Sequence, residues 1–443
     1  MTHHDPGLVP KDILIVGPNA ASQTTLFFDD FQPHDVNRAY KKSHSIGGKG
    51  QNCALACHKY GFTEEVTLLQ ILGGATGTYI DKALRQKGIH HINVEVQAET
   101  RTCTTVLDAS TGSMTELIEP TSRITAEERT AFEDRAQNLI TTGAGALRII
   151  ALCGSFPNGM DSETFAKIAH QKPDSAFLYL DAVKDIELIL STRKVDMIKI
   201  NLEEFVKIIR QLGFAGQSGN FLNAIPDLES DESSRREFAV LAKRLMETYH
   251  VGLVAITNGP YRAFLFQRGG TGYHTFRIPD LVGILQRMYL ANVDLFAEKH
   301  TENCLPPTVT LKHRQKMLEW EAENEECLNR IRRRRRLGRG GISPDPVPGV
   351  LGREATDTVD QTDPLIRTKP PIELLLNPLG AGDTTNGVFI CEYLRSQDPV
   401  RSFAMGLAAA TASCLVTDFT GYYDVKIMHA VFSDIAVESH VLD

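Results

Sequence analysis

Asn377-Pro378-Leu379-Gly380-Ala381-Gly382-Asp383-Thr384-Thr385-Asn386-Gly387 is the stretch that decides the fold. The apolar run before it, 372–376, reads as a buried strand, and the run after it, 388–394, reads as a helix. Strand, glycine turn and helix N-terminus in that order make an anion-binding geometry. The first N–H groups of a helix have no internal acceptor, and the helix dipole adds partial positive charge there. Gly380 and Gly382 let the backbone approach a phosphate with no Cβ in the way. Asp383 then sets a carboxylate beside the anion, which repels it. Accepting a proton from an attacking hydroxyl is a reason for its presence; capping the helix is the plainer alternative.

Two familiar nucleotide motifs are excluded. A Walker A loop needs Lys and then Ser or Thr after its glycines, and neither 380–385 nor 47–50 supplies that. A dinucleotide fingerprint needs a third glycine where Thr385 stands.

The pattern repeats nearer the N-terminus. Gly47-Gly48-Lys49-Gly50-Gln51-Asn52 precedes an apolar helix at 53–60, with Lys49 and Asn52 as the polar groups at its start. A glycine turn with a solvated Lys is the alternative. A third polar group, Lys199-Ile200-Asn201-Leu202-Glu203-Glu204, ends a strand and opens a helix. Asn201 and Glu204 suit a hydrated Mg²⁺, which takes oxygen ligands and keeps several waters. An ordinary acidic first turn explains them equally well.

Between these motifs, apolar strands alternate with helical stretches. Strands are expected at 12–16, 66–72, 147–153, 177–180, 195–200 and 251–257, with helices between them. That alternation predicts an α/β fold: a mainly parallel sheet with helices on both faces. Residues 24–31 and 39–45 read as short exposed strands. Residues 90–96, 102–108 and 114–119 read as strands at hairpin spacing. Together, segments at about 24–45 and 94–119 are expected to form a small β lid. An alanine-rich helix at 404–415 is expected to close the core. The block 281–370 breaks the pattern with a charged helical stretch and a Gly/Pro-rich linker, so the core is expected over 11–280 and 371–440.

The chain has 443 residues, 42% of them hydrophobic, and a net charge of −8. Nothing global points to nucleic acid or an anionic membrane. Eight cysteines are scattered with no CxxC pair, which suggests neither a zinc ribbon nor a dithiol site. With no apolar leader and no membrane-length run, a cytoplasmic protein is expected.

These motifs resemble the PfkB, or ribokinase-like, carbohydrate kinases. Gly380-Ala381-Gly382-Asp383 is similar to that family's GAGD anion hole, 47–52 to its sugar-binding signature and 201–204 to its NxxE motif. Thr100-Arg101-Thr102-Cys103, 115–119, 154–159 and 199–201 resemble strings of the 1-phosphofructokinase and tagatose-6-phosphate kinase branch. The resemblance implies a three-layer α/β/α sandwich with a β lid and an ATP- and Mg²⁺-dependent sugar kinase. Asp383 would be the base, with Gly380, Ala381 and Gly382 as the anion hole. Asn19, Gln23, Gly48, Lys49, Asn52 and Arg101 would meet the sugar, Arg101 holding an existing phosphate. Lys199, Asn201, Glu204, Thr257 and Gly259 would meet the nucleotide, and Asn201 and Glu204, through water, its metal. The branch has Asp where this chain has Gln23, and an amide binds hydroxyls without charge. The implied substrate is a phosphorylated ketohexose, with a homodimer through the lid. A silent sugar-phosphate sensor and a kinase of an unphosphorylated sugar or nucleoside are the other readings.

Overall fold

The computed structural model describes residues 11–121, 123–214, 227–291, 320, 322, 376–416 and 418–442. The chain divides into two compact units, Met1–Pro279 with Asn377–Asp443, and Asp280–Leu376. In the second, Asp280 opens helix α8 (Leu281–Ala291) by accepting hydrogen bonds from the N–H groups of Val282 and Gly283. Of the strand expected at 372–376, only Leu376 is described, and it lies outside any strand. The charged stretch and the linker that follows it lie outside the described residues, apart from Trp320 and Ala322.

The first unit is built on a ten-stranded sheet. Its parallel part holds β1 (Ile13–Gly17), β4 (Val66–Gly73), β5 (His91–Val96), β8 (Ile149–Cys153), β9 (Phe177–Asp181), β10 (Met197–Asn201) and β11 (Leu253–Thr257). The strands β12 (Ala263–Gln267), β13 (Gly272–Arg277) and β14 (Ala436–Val441) continue it antiparallel, in the order β14-β13-β12-β11-β10-β9-β8-β1-β4-β5.

Strand β1 shows why the sheet is covered on both sides. Ile13 and Ile15 enter one core cluster, Leu14 and Val16 the other, and all four are fully buried. Alternate residues point to opposite faces, so an unbroken apolar run needs cover on both. One face carries α1 (Lys49–Lys59), α2 (Gly74–Gln86), α9 (Ala381–Ser396) and α10 (Pro399–Ser413). The other carries α3 (Ala126–Gly143), α4 (Ser162–His170), α5 (Ile186–Leu190), α6 (Leu202–Gln211) and α7 (Glu232–Tyr249). Helix α11 (Val425–Asp434) packs on α10. The result is the expected three-layer α/β/α arrangement.

A second sheet of four strands has the order β3-β2-β6-β7: β2 (Ala21–Phe28), β3 (Lys41–Gly47), β6 (Thr102–Asp108) and β7 (Ser113–Ile118). It differs from the expected lid in two ways. Strand β5 is not part of it; it pairs parallel with β4 in the large sheet, where Ile92 is buried. And β2 is largely buried rather than exposed, flanked by β3 and, in parallel, by β6.

Candidate active site

The site forms where β1, β9, β10 and β11 end and α1 and α9 begin. Ligands collect at the carboxyl ends of parallel strands, where loops are free to vary and helix N-termini point inward. Gly380 is the N-cap of α9, in a left-handed conformation (φ 73°) that glycine adopts without strain. A Cβ there would also lie 3.2 Å from the Asn52 amide nitrogen. Ala381 N–H is used within the turn, on Pro378 O at 3.1 Å. Gly382 and Asp383 are therefore the first-turn N–H groups left to meet an anion.

Asp383 does not cap its helix. Its side chain is buried and accepts a hydrogen bond from Asn52 Nδ2 at 2.8 Å. Burial pushes its carboxyl up to about 6; the neighbouring Asp181 acts the same way, while Lys49, Lys199 and the Asn52 hydrogen bond pull it down. A carboxyl near neutrality is suited to taking a proton.

Asp181, at the end of β9, is the hub of the site. Its carboxylate is 1% exposed and meets Lys49 Nζ at 2.6 Å and Lys199 Nζ at 3.6 Å. Asn386 Nδ2 donates to its Oδ2 at 2.5 Å. Burial alone would raise its pKa, but Lys49, Lys199 and Asn386 together bring it down to about 2. It is therefore ionised. Lys49 also lies 3.5 Å from Glu204 Oε1. Burial pulls the Lys49 ammonium down, yet Asp181, Glu204 and Asp383 hold it above its usual value. Lys199 donates to Gly382 O at 3.1 Å, which ties β10 to the glycine turn.

Other expected residues are placed less centrally. Asn201 and Glu204 form a capping box: Asn201 Oδ1 accepts from Glu204 N–H, and Glu204 Oε2 accepts from Asn201 N–H. The plainer reading of that pair is thus realised, and Glu204 Oε1 is the oxygen left facing Lys49. Asn19 donates to Ser155 Oγ at 2.8 Å, and its carbonyl lies against Gly48, whose φ is 109°. Gln23 is buried and turned into the lid, its amide donating to Thr105 Oγ1 and Thr24 O. Arg101 lines a small cavity of about 30 Å³ together with Asn19, Thr100 and Thr121; its Nε is buried with no acceptor among the described residues. Thr257 pairs in register with Asn201, and Gly259 (φ 55°) follows at the open end of β11. Neither touches the Asp181 network.

The sequence reading passed over Asp181 and Asn386. Asp181 carried one usable signal, a carboxylate closing an apolar strand. Asn386 carried none. Behind the site, Cys53, Cys57, Cys153 and Cys391 are all buried, and Cys57 Sγ donates to Gly387 O at 3.4 Å.

The sequence profile of the pfkB family carbohydrate kinases matches residues 20–282. Tagatose-6-phosphate kinase of Staphylococcus epidermidis is 27% identical over 200 residues, which are 44% of this chain and 62% of that protein. The chain thus spans 62% of the length of this curated relative. Among solved structures, a possible 1-phosphofructokinase from Thermotoga maritima superposes with TM-score 0.60 at 15% identity, covering 97% of this chain and 99% of that one. Phosphofructokinase-2 from Escherichia coli, in complex with substrates and products, gives TM-score 0.59 at 14% identity, covering 96% and 99%. At such identities the likeness concerns the fold, which is ribokinase-like.

Proposed function

The chain belongs to the pfkB family of carbohydrate kinases, and from that premise we propose that it transfers the γ-phosphate of ATP to a hydroxyl of a phosphorylated sugar, a ketohexose phosphate. The observation that carries this reading is Asp383: a buried carboxyl with its pKa near 6, held by Asn52 in the first turn of a helix whose N–H groups point outward. In this reading Asp383 Oδ takes the proton of the substrate hydroxyl. The N–H groups of Gly382 and Asp383 and the ammonium groups of Lys49 and Lys199 are what the chain offers to the charge on the transferred phosphoryl. Positioning and electrostatics carry the rate in such transfers, with little covalent work for the protein.

Mg²⁺ fits this donor set. It is commonly held by one or two carboxylates plus substrate phosphates rather than by an all-protein cage. Glu204 keeps Oε1 for such a role while its other oxygen serves the capping box. When bound, the ion would supply charge neutralisation at the nucleotide phosphates.

Arg101 supports the phosphorylated substrate. Its Nε is buried without a partner among the described residues, the side chain lines a small cavity beside Asn19, and a forked guanidinium matches a phosphate. Replacing Arg101 by Ala is expected to lower kcat/KM for a phosphorylated sugar by about tenfold to a hundredfold and to change that for an unphosphorylated sugar little. Equal losses for both would remove the phosphate from the reading.

The test of the whole proposal is a coupled ATP-consumption assay over a panel of sugars and sugar phosphates. Turnover with a ketohexose phosphate supports it. Binding without turnover across the panel would instead favour a silent sensor, the reading that the lid-turned amide of Gln23 recommends.

A further inference from the structure

A row of hydrogen bonds runs from the apolar core to the site and ends on the carboxylate that both lysines share. Tyr179 OH donates to Asn386 Oδ1 at 2.8 Å, and Asn386 Nδ2 donates to Asp181 Oδ2 at 2.5 Å. Tyr179 lies on β9, two residues before Asp181. Asn386 lies on α9, one turn beyond Asp383. Both are fully buried. The Tyr179 ring sits in the same core cluster as Ile15, Ala151 and Phe389, with its centroid 5.7 Å from that of Phe389. Neither residue lines the cleft.

Buried polar side chains on otherwise apolar faces are costly unless satisfied, and these two satisfy each other. That alone would explain a neutral pair. It leaves unexplained why the free end of the Asn386 amide lands on a charged group. Asp181 has two oxygens and two ammonium neighbours. Oδ1 meets Lys49, and Oδ2 is the one nearer Lys199. An amide donor fixed on Oδ2 stops the carboxylate from rotating, so Oδ1 stays directed at Lys49. The Tyr179 hydroxyl fixes the amide in turn: by donating to Oδ1 of Asn386, it dictates that the NH₂ end faces Asp181. Residues that orient a site group are commonly as consequential as the group itself.

We propose that Tyr179 and Asn386 are positioning residues, a two-link brace from the core that fixes the Asp181 carboxylate and, through it, holds the Lys49 and Lys199 ammonium groups in place for phosphoryl transfer. This rests on the kinase reading above for its functional part and on the geometry of the brace for the rest.

Two readouts separate those parts. The first needs no substrate: the rate at which acetic anhydride modifies Lys49, followed by peptide mass spectrometry, with the remote Lys167 as internal reference. In Tyr179→Phe the hydroxyl is lost and the amide is free to turn, so Lys49 is expected to react several-fold faster than in the parent protein. Asn386→Ser, which replaces the amide by a shorter hydroxyl that cannot span both partners, is expected to do the same and serves if Tyr179→Phe folds poorly. The second readout is steady-state kinetics of both variants. The expected result is a fall in kcat of about tenfold, with both KM values within about twofold. In an Asp181→Asn background, adding Tyr179→Phe is expected to change kcat no further, because the brace acts only through that carboxylate.

Unchanged Lys49 modification in folded Tyr179→Phe and Asn386→Ser would overturn the inference. So would a lowered melting temperature with kcat intact, which is what mere core packing would give. Absence of turnover in the parent protein would count against the kinase reading while leaving the modification rates to decide the brace.

Discussion

Asp383 combines two consequences of one environment. Its folded pKa of about 6 lies above the ordinary aspartate value of 3.8, because burial and Asp181 outweigh Lys49, Lys199 and Asn52. A base must be ionised to act, so the rate is expected to fall as pH drops through about 6. Changing Asp181 to Asn removes the repelling charge and leaves the lysines less neutralised, so the acid limb of kcat/KM is expected to move to lower pH; a limb that stays or rises would contradict the assignment. Asp383→Asn is expected to lower kcat by at least about 10²-fold while nucleotide affinity changes little, measured by kinetics alongside calorimetric titration. The linkage runs the other way for stability. Between about pH 4 and 6 the folded chain holds the extra proton, so stability declines with rising pH across that window and levels off above it. The Asn variant lacks the charge and is expected to be more stable at pH 7.5 by about 1–3 kcal/mol, with a smaller gain at pH 5. Thermal melts at the two pH values check both. At this scale the sequence was legible wherever glycines framed a polar side chain, as they do for Asp383 and Lys49. It was silent on Asn386 and Tyr179, whose partnership spans 207 positions of the chain.

At the scale of elements, the helix carrying Asp383 is placed by its contact with α1. Gly387 lies against that helix: a Cβ there would come 2.5 Å from Cys53 O and 2.8 Å from Ala56 Cβ. Both obstacles belong to a helix core rather than a mobile side-chain tip, so the two helices would have to separate. Gly387→Ala is expected to destabilise the fold by about 1–3 kcal/mol and to lower activity by moving Asp383 away from Asn52. Denaturant titration and kinetics would read the two effects; a neutral outcome would show that the helix pair tolerates a wider gap. The elements were largely legible because apolar runs of strand length alternate with helical ones. Strand β5 was misplaced for a physical reason. Its turn spacing to β6 suits a hairpin, yet β4 has a free edge that accepts it in parallel register. The capping box at 201–204 shows the converse: a pattern that can bind metal is also a sufficient helix start.

At the scale of the whole molecule, the family match ends at residue 282, close to the boundary at Pro279 between the two compact units. The ten-stranded sheet, both covering layers and the Asp181 network lie in the first unit. Replacing the block 281–370 by a short Gly/Ser linker is expected to leave the melting transition and kcat within about twofold of the full chain; aggregation or loss of turnover would show that the block is part of the working enzyme. The C-terminal strand β14 escaped the sequence reading because a short run such as 436–441, with three consecutive polar residues at its centre, resembles a solvated tail until β13 offers it an edge. The thiols give the molecule one more property. Cys53, Cys57, Cys153 and Cys391 are at most 1% exposed in the core, whereas Cys103, on β6 of the smaller sheet, is 8% exposed. An alkylating reagent meets only sulfur that a fluctuation has uncovered. Pulse alkylation therefore turns these five cysteines into two clocks, one timing the breathing of the lid and the other the rare opening of the whole core.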